Sequence, residues 1–106
     1  MREFSPRELK AYLESAEEKP LLLDVREPWE FDTARIEGST LVPMSSMARH
    51  MQELDPHRET VVICHHGIRS RLMCRFLETH GFSNLINLSG GVDAWARDVD
   101  HQMPTY

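Results

Sequence analysis

The stretch TVVICHHGIRSRLMCRFLETHG, residues 60–81, decides the fold. Thr60–Ile63 is β-branched throughout, which favours a strand. It runs without a break into Cys64-His65-His66-Gly67-Ile68-Arg69-Ser70. Ile68, Leu72, Met73, Phe76 and Leu77 then recur at helical spacing, with Arg71, Arg75 and Glu78 on the other side. Gly81 fits the position just past the helix end. A strand, a loop tightened at Gly67 and an amphipathic helix together form the repeating unit of a parallel α/β sheet.

The flanking sequence continues the alternation. Ser5 reads as an N-cap, with Pro6 at the first helical position and Glu8 completing a capping box. Leu9, Tyr12, Leu13 and Ala16 carry that helix until Glu17-Glu18-Lys19-Pro20 ends it. Leu21 to Val25 is an apolar run containing Asp24, short enough for a buried strand. Glu27 to Ala34 reads as a short helix or turn anchored by Trp29 and Phe31. Gly38 breaks the chain, and Thr40-Leu41-Val42 forms a short strand stopped by Pro43. Met44, Met47, Met51 and Leu54 are spaced for one helix face, ended by Pro56. Asn84 to Leu88 is a further strand, Ser89-Gly90-Gly91 a turn, and Val92 to Arg97 a final short helix with Trp95 inward. Asp98 to Tyr106 reads as irregular. The expected architecture is α/β: one domain over residues 1–106, with a central, mostly parallel sheet of about five strands and helices on both faces.

Composition excludes several classes. The chain has 106 residues, 41% hydrophobic and 27% charged, an ordinary globular balance. Five glycines and six prolines are too few for a disordered or fibrous chain. No apolar run approaches the roughly 20 residues that span a bilayer. The start, MREFSPRELK, has no apolar core of the kind secretory signals carry. Two cysteines cannot staple a disulfide scaffold. A reducing, cytoplasmic location is expected. A net charge of −5 argues against a general binder of nucleic acid or anionic membrane. A monomer is expected, because every apolar stripe is assigned to the core.

The chemistry concentrates at Cys64. In parallel α/β sheets, ligands sit beyond the carboxyl ends of the strands, and Cys64 stands at such an end. The residues after it curl into a helix N-terminus, where unpaired N–H groups make an anion-binding concavity. That environment favours a thiolate over a thiol. Between Cys64 and Arg75 there are three arginines, two histidines and no acid, so an acidic chain carries a local cationic patch beside its candidate nucleophile.

These residues resemble the rhodanese-like sulfurtransferase family. CHHGIRS fits the family's C-x-x-G-x-R-S loop; LLLDVREPWEF and RIEGSTLVP match upstream, and NLINLSGGVDAW downstream. The three blocks occur in order, and the resemblance spans roughly Phe4 to Trp95. The closing DVDHQMPTY is similar to the ending of small single-domain bacterial members. The resemblance implies that Cys64 takes a sulfane sulfur from a small anionic donor such as thiosulfate and holds it as a persulfide. The sulfur then passes to cyanide or a thiol. It implies that the backbone from His65 through His66, Gly67 and Ile68 to Arg69 cradles the outer sulfur. Asp24, Arg26 and Ser70 are expected as supports, with Asp24 pairing an arginine. No cofactor and no metal are implied; a protein sulfur donor or acceptor remains open as a partner.

Other readings compete. A low-turnover sulfur-relay or redox-sensing module would need the same accessible thiolate. Cell-cycle phosphatases of the same fold have a C-x5-R loop sized for phosphate; Cys64 and Arg69 enclose four residues, a ring suited to one sulfur atom. Cys64-His65-His66 lacks zinc-ligand spacing, and adjacent side chains on a curled loop are expected to diverge. Cys74 reads as a structural or semi-exposed thiol. Trp29, Trp95 and Phe31 read as core or rim packing, with a wall of the active-site cleft as the alternative for Trp29.

Overall fold

A computed structural model describes residues 1–106. Five strands form one parallel sheet: β1 (Arg2–Phe4), β2 (Leu21–Asp24), β3 (Thr40–Leu41), β4 (Thr60–Ile63) and β5 (Leu85–Leu88), in the order β1-β5-β4-β2-β3. Helices are α1 (Pro6–Ser15), α2 (Pro28–Thr33), α3 (Met47–His50), α4 (Ile68–Glu78) and α5 (Gly91–Asp98). β4 is central, and all four of its residues are buried.

Burial on both faces explains why the strands read as continuous apolar runs. Successive side chains still alternate between faces. Leu22, Val61, Ile63, Ile86 and Leu88 pack with Leu9 of α1 and with Val92 and Trp95 of α5. Leu23, Val62 and Leu85 point the other way, onto Met47 of α3 and Met73 and Leu77 of α4. Asn87 shares the α4 side of β5 and is fully buried.

Several local signals hold. Ser5 and Glu8 form the expected reciprocal capping box on α1. α4 closes with the Gly81 N–H on the Glu78 carbonyl and the Phe82 N–H on the Leu77 carbonyl, the pairing of a helix ended by a left-handed residue. Others differ. β1 has no counterpart in the sequence reading, since three residues, Arg-Glu-Phe, carry no period. The Met44–Leu54 face is not one helix; it is the single turn α3 flanked by 3-10 turns at Met44–Ser46 and Met51–Glu53. The apolar stripe on α4 is out of phase with burial. Ser70, Met73, Cys74 and Leu77 face inward, while Ile68 and Leu72 are exposed. The loop hydrogen bond from Ser70 to the sulfur of Cys64 sets that phase. Ile68 and Leu72 therefore lie outside the core to which every apolar stripe had been assigned. Trp29 is also exposed, which takes it out of the core and leaves it the rim. No helix is long and apolar enough to cross a membrane.

The α5 N-terminus is pressed against the Cys64 loop. The Val92 N–H donates to the Cys64 carbonyl at 2.9 Å, and the Asp93 N–H donates to the His65 carbonyl at 3.0 Å. Gly91, at φ +60, permits this approach, because a Cβ there would drive into both carbonyl oxygens. Gly91→Ala should lower unfolding free energy by about 1–3 kcal/mol, the usual cost of a forced backbone conformation. Urea denaturation checks this; an unchanged midpoint would mean the contact does not constrain the loop.

Candidate functional site

Cys64 follows β4 directly and is almost wholly buried. Its Sγ accepts hydrogen bonds from the Gly67 N–H at 3.1 Å and the Ser70 N–H at 3.2 Å. The Ser70 hydroxyl lies 3.3 Å from the sulfur and donates onward to Asn87 Oδ1. Asn87 spends its amide hydrogens on Glu3 Oε1 and the Gly67 carbonyl. The sulfur is thus fixed by two amides and one hydroxyl, and the hydroxyl is oriented by a buried amide. Donors aimed at sulfur stabilise negative charge there. Gly67 holds φ +90, and a Cβ there would come within 3.0 Å of the Leu88 carbonyl oxygen and 2.9 Å of the Gly90 nitrogen.

A second layer supports the loop through Arg69. Its two terminal nitrogens each donate to Glu30 at 2.8 Å. Glu30 is buried, and these bonds hold its carboxyl at about 2, against the opposing effect of burial. The same pair raises the Arg69 guanidinium above its usual range. Glu30 also receives the Glu27 N–H at the start of α2 and the Tyr106 hydroxyl at 3.0 Å. Behind it, Arg26 is wholly buried and paired with Asp24 at 2.7 Å. Arg26 further donates to the carbonyls of Ala34 and Glu30 and to the Tyr106 hydroxyl. Burial is the largest single effect and opposes the Arg26 charge, but Asp24 and Tyr106 together outweigh it and leave it raised. No buried side-chain nitrogen or oxygen lacks a partner.

The mouth of the loop is aromatic. The Tyr106 ring stacks on His65 at 3.9 Å and 10°, and Trp29 meets Tyr106 edge-on at 5.5 Å. Burial, then the neighbouring His66, lowers the His65 imidazole below its ordinary value. The His65 and His66 rings do not diverge as expected; their centroids are 3.9 Å apart. Asp93 of α5 joins them, 4.0 Å from His66.

Of the residues singled out in the sequence, Cys64, Gly67 and Ser70 converge on one sulfur. Arg69 closes the loop by reaching Glu30, and Asp24 and Arg26 stand behind that pair. Asp24 pairs an arginine as expected, namely Arg26. The Ile68 side chain points to solvent, leaving only its backbone in the loop. The local cationic patch is largely neutralised: Arg69 by Glu30, and Arg71 by Glu3 at 3.0 Å. Cys74 is wholly buried, and burial pushes its thiol up to about 12, which suits packing rather than exchange. Asn87, Glu30 and Tyr106 were not singled out. Asn87 had a signal, a polar residue within the apolar run Leu85–Leu88, where burial demands partners. Glu30 had one too, as the fourth residue of Glu27-Pro28-Trp29-Glu30, a capping-box spacing. The largest cavity, about 760 Å³, lies elsewhere, at the amino ends of the strands beside Tyr12, Lys19, His57 and Glu59. It touches none of this chemistry.

Comparison with known proteins agrees with this geometry. A family model, the Rhodanese-like domain, matches residues 5–98, and the chain belongs to that family. A protein from Allochromatium vinosum named "Sulfurtransferase" is 36% identical over 87 residues, covering 82% of this chain and 78% of its own. A probable adenylyltransferase/sulfurtransferase MoeZ from Mycobacterium tuberculosis is 36% identical over 104 residues, or 96% of this chain. The chain spans only 26% of that relative's length. Among solved structures, SSP1007 from Staphylococcus saprophyticus superposes with a TM-score of 0.84 at 27% identity, covering 97% of this chain and 98% of that one.

The Glu30 carboxyl yields a pH prediction. Its folded value of about 2 lies below the ordinary 4.5, so its contribution to stability is complete above the ordinary value and fades as pH falls toward the folded one. Glu30→Gln should lose about 1–2 kcal/mol near neutrality, after allowance for solvent screening at Arg69. Its stability should also fall less steeply than the native chain's between about pH 5 and pH 2. Urea melts across that range measure both; parallel acid limbs would remove Glu30 from this role.

Proposed function

We propose that the protein is a sulfurtransferase that carries a sulfane sulfur as a persulfide on Cys64. The observation that carries the reading is the pair of N–H groups, from Gly67 and Ser70, aimed at a cysteine sulfur held at the end of the central strand. Membership of the rhodanese-like family and likeness to a relative named as a sulfurtransferase support it.

With thiosulfate as donor, the Cys64 thiolate attacks the sulfane sulfur, the sulfur–sulfur bond of thiosulfate breaks and sulfite leaves with the electron pair. The product is a persulfide whose outer sulfur is anionic. An acceptor, cyanide or a thiolate, then attacks that outer sulfur; the Cys64–sulfur bond breaks and the thiolate returns. Both steps are displacements at sulfur, as in disulfide exchange. Charge moves one atom outward and back. The ring of backbone N–H groups from His65 to Arg69, extended by Ser70, is suited to follow that movement. Ser70 has one proton to place; Asn87 takes it when Cys64 is a thiol, and rotation brings it to the thiolate. Asn87 and Ser70 act here as positioning residues. Because Cys64 is almost wholly buried, the donor is a small anion or a narrow persulfide terminus. We place the reaction in a reducing, cytoplasmic setting, with a protein donor as the alternative source of sulfur and a protein acceptor as its alternative destination.

Intact-protein mass spectrometry under non-reducing conditions tests this. Incubation with thiosulfate should add ~32 Da, one sulfur, to the native chain and nothing to Cys64→Ser. Cyanide should then remove the added mass and release thiocyanate. No adduct from thiosulfate or from a persulfide donor would overturn the reading.

A further inference from the structure

Three metal-ligating side chains from two separate elements meet on the outer side of the Cys64 loop. They are His65 and His66 of the loop and Asp93 of α5, and their ligand atoms all lie within 4.8 Å of one another. His66 Nε2 is already 4.0 Å from Asp93 Oδ2. Backbone contacts fix the meeting: the Asp93 N–H donates to the His65 carbonyl at 3.0 Å, and the Val92 N–H to the Cys64 carbonyl at 2.9 Å. The His65 ring is held between Tyr106 and His66, each 3.9 Å away. The His65 ring and the Asp93 backbone are therefore placed by the scaffold, leaving the His66 and Asp93 side chains to adjust.

We propose that His65, His66 and Asp93 form a binding site for a divalent transition-metal ion of the Zn2+ class. Two imidazoles and one carboxylate are the ligand set that borderline cations take, with water completing the shell. Hard cations such as Mg2+ and Ca2+ favour oxygen alone. Tetrahedral ligands at about 2.0–2.1 Å from zinc stand about 3.4 Å apart, so the cluster closes by roughly 1 Å on binding. His66 and Asp93, with side chains 58% and 38% exposed, have room to do so. Of the nearby cations, Arg69 is paired with Glu30, whereas Arg97 stands 3.8 Å from Asp93 Oδ2 and yields that carboxylate to the ion, keeping Asp98 at 3.3 Å. An ion here ties the two residues after Cys64 to the first turn of α5.

The test is binding and stands apart from sulfur transfer. The full chain carrying Cys64→Ser, which removes the competing thiol, is titrated with Zn2+ by calorimetry in a non-coordinating buffer. One saturating ion per chain is expected, and the Tm should rise with zinc. His66→Gln and Asp93→Asn, each added to that background, should weaken binding at least about tenfold and abolish most of the Tm rise. Both positions are solvent-accessible, and circular dichroism of the metal-free variants confirms folding. Absence of saturable binding up to about 1 mM Zn2+, or binding undiminished in both variants, overturns the site.

Discussion

Two hydrogen bonds decide what the Cys64 loop can do: those from Val92 and Asp93 to the carbonyls of Cys64 and His65. A peptide that turns its carbonyl toward α5 directs its N–H away from it. The N–H groups so directed are those of His65 and His66, and the turn that follows carries the Gly67 and Ser70 amides to face the sulfur. Gly91 makes the approach sterically possible, and Gly67 lets the chain reverse beneath it. Gly67 gives its own N–H to the sulfur while Gly91 does not touch it, yet the donor geometry depends on both. Preorganised donors of this kind need no rearrangement as charge appears.

The remaining support is ionic and nested. Arg26 is buried with Asp24, an arrangement stable only when every donor has a partner, since a lone buried charge costs several kcal/mol. The additional Arg26 donors go to the backbone of α2, the Ala34 carbonyl after it, and Tyr106. That fixes α2, whose Glu30 in turn fixes Arg69. The loop is thereby tied to β2 through three side chains, and Tyr106 draws the end of the chain over them. Arg26 fastens distant segments together, and its charge is cancelled before it reaches the sulfur.

The strand–loop–helix at residues 60–81 was legible because β4 is central. A strand buried on both faces is apolar except where a polar side chain finds a partner; Val61–Ile63 are apolar, and the Thr60 hydroxyl donates to the Arg58 carbonyl. Cys64, Gly67 and Ser70 were legible for a related reason: a loop between a buried strand and a helix has few conformations, so residue types identify positions. Edge elements carried less signal. β1 is three residues long and was missed, and the methionine segment satisfied a helical period without forming one helix. Partners supplied from elsewhere, such as Glu30 to Arg69, Asn87 to Ser70 and Tyr106 to His65, are separated by 39, 17 and 41 positions, and no local pattern links them. The phase of α4 failed for a physical reason as well. Hydrophobicity placed Ile68 and Leu72 inside, whereas the bond from Ser70 to sulfur rotates the helix and turns them out.

Arg69 argues for the kind of anion the loop suits. A guanidinium clamp on a tetrahedral oxyanion is frequently a fork that offers both terminal nitrogens to it. Here both are taken by Glu30 at 2.8 Å, and the bond that lowers the Glu30 carboxyl to about 2 resists exchange for a weaker partner. An anion entering the loop therefore meets backbone N–H groups and no free arginine fork. Backbone donors converging on one point favour a single, diffuse charge centre. Four residues between Cys64 and Arg69 keep that ring small. A sulfur anion satisfies both conditions, whereas a phosphate would need a wider ring and an arginine released from its carboxylate.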